Sequence, residues 1–229
     1  MPIHDMLYRC PRCGHDPLDG HKGRARCFSC GTRYEQGRGS VIIVRPPEGP
    51  LERISAASLV ADMDRMGGLG TGKDRGRGLP EQSPFREARV ALGLAEGYDV
   101  IRWRGEVLGF SERISWKGEG LLKLEGEALT FTPLGNRAEG FSCLLSDVRG
   151  VQISSGALQV TLEGTRLYQF EFVDDSPKRW EDLLCQALSR LYTKTGRCIT
   201  EFKPRIVAEP LPMGRDRRSD EDRAMSTGR

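Results

Sequence analysis

Four cysteines near the start of the chain are the residues whose type and spacing point most directly to chemistry. Cys10 and Cys13 form one C-x-x-C pair, Cys27 and Cys30 form a second, and thirteen residues lie between the pairs. Zinc takes four ligands in a tetrahedron, with each thiolate about 2.3 Å from the metal. Each C-x-x-C turn presents two thiolates from one tight bend, so two turns complete the set. Gly14 and Gly31 directly follow the pairs and suit a bend that needs positive φ. A set made only of cysteine predicts one closed, structural Zn²⁺, because a catalytic site keeps a position for water. The alternatives are a disulfide or a redox dithiol. A redox motif needs only one pair, set in a βαβ context that this stretch lacks.

The two turns, CPRCG and CFSCG, resemble the knuckles of the zinc-ribbon family. The resemblance covers about the first forty-five residues. It implies a metal-held β unit and says little about a partner.

Other catalytic chemistry is hard to build. His4, His15 and His21 are the only histidines, and all lie in or beside the cysteine stretch. His15 or His21 could replace a cysteine on a metal, but four cysteines already fill a tetrahedron. No histidine has an aspartate five positions later, as glycerolipid acyltransferases require. Gly67–Asp74, GGLGTGKD, is one residue from a phosphate-binding loop, but Asp74 stands where Ser or Thr must hold Mg²⁺. The expectation is a non-enzyme that binds no nucleotide.

The elements around these residues follow from composition and period. The chain has 229 residues, 38% hydrophobic and 29% charged, enough for one ordinary domain and a small one. It has no apolar run long enough to span a bilayer and no signal-peptide pattern at its start. Cys143, Cys185 and Cys198 remain isolated, which fits reduced thiols in a cytoplasm. The net charge of +3 sits in residues 1–50, with eight Lys/Arg against five Asp/Glu. Four thiolates and one Zn²⁺ would remove two of those charges, leaving a weak footprint for duplex nucleic acid.

Residues 32–36 and 41–44 have strand character, and Pro46, Pro47 and Pro50 are expected to end the first unit. Residues 55–66 predict a short helix with Leu59, Met63 and Met66 at helical spacing. Residues 67–84, with six glycines and two prolines, suit a flexible linker. From Tyr98 to Val173 the period is two, which predicts six or seven short antiparallel strands. Leu158, Val160 and Leu162 alternate with Gln159, Thr161 and Glu163, a pattern expected of a half-buried strand. One helix follows. Asp175 or Ser176 can cap it, Pro177 suits its first turn, Gly196 can end it, and Trp180, Leu183, Leu184, Ala187, Leu188 and Leu191 form its apolar stripe. Residues 209–229 have little to bury and predict a disordered tail.

A meander closed by one helix with a central tryptophan resembles the pleckstrin-homology-like superfamily, and its GRAM branch most closely. The stretches that carry this are GEGLLKLEGEALTFTP (118–133), LLSDVRGVQI (144–153), LYQFEFV (167–173) and RWEDLLCQAL (179–188). The resemblance implies an antiparallel β-barrel capped by a helix, which binds headgroups, peptides or other domains. Its first hairpin loop is expected at Glu125-Gly126-Glu127, which is acidic and lacks the cations of a phosphoinositide site.

The fold class is therefore mainly β with one C-terminal helix. The expected organisation is a zinc ribbon at 1–49, a short helix and Gly-rich linker at 50–97, a PH/GRAM-like domain at 98–197, and an extended segment with a disordered tail at 198–229. The linker is expected to keep the two cores independent. The leading expectation is a cytoplasmic, non-enzymatic, zinc-binding adaptor whose residues 98–197 engage a protein or a membrane surface. One alternative is a nucleic-acid-binding ribbon, drawing on Arg9, Arg12, Lys22, Arg24, Arg26 and Arg33. Another is an accessory module of a lipid-modifying, acyltransferase-type enzyme system.

Overall fold

The computed structural model describes residues 2–66, 85–135, 139–154, 156–164 and 166–196. The Gly-rich stretch 67–84, Cys198, the segment 199–208 and the tail 209–229 lie outside the described residues. The fold is mainly β, with two antiparallel sheets and three helices, the longest of them at the C-terminal end.

After the short helix α1 (Ile3–Met6), the first sheet runs β1 (Asp19–His21), β2 (Arg24–Arg26), β3 (Arg33–Gln36), β4 (Val41–Arg45) and β5 (Glu52–Ser55), each strand beside the next. Helix α2 (Ala56–Met66) follows. Strand alternation sends Ala25, Tyr34, Ile42 and Val44 to one face, where Ile3, Leu7, Leu59 and Met63 cover them. Met66, expected on the same stripe, is exposed. The proline run does not end this unit. Pro46, Pro47 and Pro50 lie in the loop between two strands, and the chain returns to pair Ile42 with Ile54.

The second sheet has strands β6 (Phe85–Trp103), β7 (Glu106–Glu125), β8 (Ala128–Pro133), β9 (Phe141–Leu144), β10 (Val148–Ser154), β11 (Ala157–Leu162) and β12 (Leu167–Phe172). Their order is β10-β11-β12-β6-β7-β8-β9, so the first strand lies beside the last. Phe141 at one edge packs on Tyr168, with ring centroids 4.4 Å apart, so the sheet curls over its own core. The outer strands β9 and β10 do not pair with each other among the described residues.

The sheet begins at Phe85, inside the stretch expected to be linker. That stretch, REARVALGLAEG, is rich in alanine and glycine and low in β-branched residues, so its strand character comes from its neighbours: Val90 to Leu94 pair with β12. Gly93 is required there. A Cβ on it would meet Ile114 Cγ2 at 2.4 Å, because Ile114 and Trp116 fold across the strand. With β6 placed, the first hairpin turn of this sheet is Arg104-Gly105, and Glu125-Gly126-Glu127 is the second.

Gln159, expected on a solvated side, is 3% exposed. It accepts from Gln152 Nε2 at 2.8 Å and donates to Gln169 Oε1 at 2.9 Å, so the amides satisfy one another across three strands.

Helix α3 (Pro177–Lys194) packs on β10, β11 and β12. Ser176 caps it by accepting from Arg179 N, and Trp180 is fully buried, with Nε1 donating to Asp175 at 2.9 Å. The same helix also holds the first sheet's unit. Tyr8 Oη donates to Asp182 at 2.9 Å, Ser176 Oγ donates to the Asp5 carbonyl at 2.5 Å, and Arg179 binds the Tyr8 carbonyl and Asp16. Residues predicted to belong to separate cores therefore meet at one buried polar seam.

Candidate metal centre

Both cysteine turns are built alike. Cys10 N donates to the His15 carbonyl at 2.8 Å, and Gly14 N to the Cys10 carbonyl at 2.9 Å. In the second turn, Cys27 N donates to the Thr32 carbonyl at 2.9 Å, and Gly31 N to the Cys27 carbonyl at 2.9 Å. Gly14 and Gly31 share φ = +74°, a conformation that a side chain would strain. The repeated local geometry aims two pairs of sulfurs at one point.

The four Sγ atoms lie within 4.8 Å of one another, and they form the one such cluster of possible metal ligands among the described residues. Cys10 and Cys30 are 3.6 Å apart, and Cys13 and Cys27 are 3.5 Å apart. A tetrahedron with metal–sulfur bonds of about 2.3 Å has edges of roughly 3.8 Å, close to these separations. A disulfide would need about 2.05 Å, so these are free thiols. The donor set fits a metal ion, and zinc is plausible.

The surroundings treat the sulfurs unequally. Burial pushes the Cys10 thiol up to about 12, against a hydrogen bond from Tyr34 Oη at 3.2 Å. Burial also raises Cys27. At Cys30 burial opposes ionisation, but the Thr32 hydroxyl at 3.2 Å and the Thr32 backbone bring the thiol down to about 6. Burial and the neighbouring Cys10 raise Tyr34, which keeps its proton as a donor. A cation would displace the thiol protons that burial retains. The histidines do not join this cluster: His15 and His21 are exposed, and His4 accepts from Gly23 N at 3.4 Å.

The opposite face of the first sheet is cationic. Cross-strand pairing places Arg24, Arg26, Arg33, Arg45 and Arg53 together around Glu35 and Ile43. Asp19 joins this face opposite Arg26. Exposed Phe28 lies beside it, with the Arg26 guanidinium 5.6 Å from its ring. Of the cations singled out in sequence, Arg24, Arg26 and Arg33 are here. Arg9 and Arg12 lie near Asp16 and Glu52, and Lys22 is in a turn. Arg45 and Arg53 were missed, and the signal was the alternation of VIIVR and ERIS across the prolines.

Cys143 and Cys185 are half-buried thiols of β9 and α3, away from this cluster. No described helix is long and apolar enough to cross a membrane. No protein-family model matches the chain, and no curated protein sequence resembles it closely enough to count as a match.

Proposed function

We propose that this chain is a non-enzymatic, zinc-structured adaptor. Cys10, Cys13, Cys27 and Cys30 would hold one Zn²⁺ in a closed site, and the ion would supply folding energy to the first sheet rather than reactivity. The observation that carries this reading is the four-sulfur cluster, with Tyr34 and Thr32 hydroxyls against two of its members. Residues 98–197 are read as a PH/GRAM-like binding module. The strand order and the Trp180 helix support that reading, and its partner would be a protein or a membrane surface. Metal analysis of protein purified without chelator should find one zinc per chain, and Cys27→Ser should abolish it. Wild-type protein without metal would sink the structural role. Native-cell capture with the whole chain should retain a protein or lipid partner, and capture of nucleic acid alone would remove the adaptor.

One observation favours a second reading, in which the arginine face binds single-stranded nucleic acid. Five arginines against Glu35 and Asp19 supply phosphate contacts, and Phe28 offers a ring on which a base can stack. Binding should then weaken steeply with salt and fall on Arg24→Glu. Binding indifferent to both would exclude it.

A further inference from the structure

The hairpin of β6 and β7 is much longer than the sheet that holds it. Strand β12 pairs with β6 at Val90–Leu94, and β8 pairs with β7 at Gly120–Glu125. Between those anchors, the outer parts of β6 and β7 pair only with each other among the described residues, out to the turn Arg104-Gly105. Both turn residues have positive φ, 49° and 89°, as a tight two-residue hairpin requires. An isolated two-stranded ribbon is marginal in water. This one also exposes Tyr98 (60%), Leu108 (65%) and Phe110 (67%), with Val100 and Val107 near half.

The register sorts these side chains. Tyr98 pairs with Glu112, Val100 with Phe110, and Arg102 with Val107, with Leu108 as the extra residue of a bulge. Residues two apart share a face, and so do cross-strand partners. One face therefore reads Tyr98, Val100, Val107 and Phe110, with Arg102 at the tip end and Glu112 at the root end. The other face carries the exposed Ile101 and Trp103, separated by Asp99, paired to Arg113 at 2.5 Å, and by Glu106 opposite Trp103. Its apolar side chains are interrupted by charge and do not form a continuous row.

We propose that the apolar face of this arm pairs with the same face of a second copy of the chain. The arms would pack antiparallel about a two-fold axis lying between them at the level of Val100 and Phe110. Two observations select a copy of the chain as occupant. The first is charge. Reversing one arm against the other brings Arg102 over the Tyr98–Glu112 pair of its partner, twice by symmetry, so the face is complementary to itself. Among the described residues neither Arg102 nor Glu112 has an ion-pair partner that would compete, and Arg102 Nη1 donates to the Gly105 carbonyl at 3.3 Å. The second is area. The four apolar residues of this face, with Leu108 at the bulge beside them, expose on the order of 500 Å², the size of the largest patch on a typical monomer, which is often functional. With backbone and the charged ends, this approaches the roughly 800 Å² that each partner gives to a standard interface. A bilayer suits the arm less well, because Arg102, Arg104 and Glu106 sit at the tip and would enter first. The inference does not depend on the adaptor reading, since the arm alone carries it.

The test is sedimentation of the full chain over a range of concentrations. Wild type should be a dimer, and Phe110→Glu should be a monomer with an unchanged circular dichroism spectrum. Arg102→Glu and Glu112→Arg should each weaken the dimer by about tenfold or more, through like charges facing each other. The double variant R102E/E112R should restore it, which neither misfolding nor a general loss of solubility can do. A wild-type monomer at every concentration overturns the proposal. So does a dimer that survives Phe110→Glu, or a double variant no tighter than the singles. A monomer that instead co-sediments with phosphatidylglycerol vesicles through Phe110 assigns the face to lipid and also overturns it.

Discussion

The two sheets bury comparable kinds of side chain but close their cores by different means. The first is five short strands, and two of its fully buried residues are Cys10 and Cys27. The second encloses Leu122, Leu124, Leu129, Phe131, Leu158, Phe170 and Trp180, with no metal-ligand cluster among its described residues. A small sheet has too much surface for its interior and needs a staple, whereas a larger curled sheet closes on aromatic and aliphatic packing. On the proposed zinc reading, the difference teaches where each half would be vulnerable: the first to chelation, the second to truncation of one ring.

The largest effect should come from taking the metal away. Chelation, or Cys27→Ser, should unfold the first sheet outright, because the binding energy of a structural zinc is folding energy. Spectra assigned to Tyr34 and Val44 should lose dispersion, while those of Val160 and Phe170 keep it. A first sheet that stays folded without metal would make the staple redundant and erase the contrast. Trp180→Ala attacks the other side. Its indole is fully buried, touches Phe172 with centroids 5.5 Å apart and donates to Asp175. Truncation should cost about 3–5 kcal/mol in denaturant melts. A loss below about 1 kcal/mol would mean that the helix is not the closure of this sheet.

Arg179 tests whether the two halves are as separate as that contrast implies. It is 8% exposed and joins Asp175, Asp16 and the Tyr8 carbonyl, with its guanidinium 5.0 Å from the Tyr8 ring centre. Tyr8 itself is bonded to Asp182, and Lys178 pairs with that carboxylate at 2.7 Å. Replacing Arg179 with alanine should cost about 2–3 kcal/mol, somewhat below the usual range for a broken buried pair because Asp175 keeps Arg86 and Trp180. It should also split one melting transition into two. A single transition in the variant would mean that the halves are coupled elsewhere.

Much of this was legible in the sequence, and the reasons are local. The cysteine spacing predicts the cluster because each turn is built within five residues. Helix α3 is visible through Ser176, Pro177 and its apolar stripe, and β8 through Leu129 and Phe131. The parts that were not legible depend on distant partners. Residues 85–97 become strand by pairing with β12 and β7, not by their own propensity. Strand β5 was hidden behind prolines that occupy a loop. The polar residues of α3, Arg179 and Asp182, look like the solvated side of an amphipathic helix until Tyr8 and Asp16 arrive from the other sheet. The arginine face is spread over four strands, so net charge by segment could not reveal it.

The smallest effects should come from the glutamine ladder, which tests whether the second core is as purely apolar as the comparison suggests. Gln159 lies at its centre, 3% exposed, between Gln152 on β10 and Gln169 on β12. The next position across the sheet is Gly93, which has no side chain to continue the row. Gln159→Ala removes both amide bonds at once. Gln152 is exposed and can turn to water, but Gln169 is 9% exposed and loses its partner. The cost should be about 1–3 kcal/mol, the penalty for a buried polar group left unsatisfied. Gln152→Ala strips only the outer bond, and Gln159 keeps its bond to Gln169, so the cost should stay below about 1 kcal/mol. Denaturant midpoints of the two variants, compared at equal m-value, decide the matter. If the outer substitution costs as much as the central one, the amides act as packing volume, and the second core is held by shape alone.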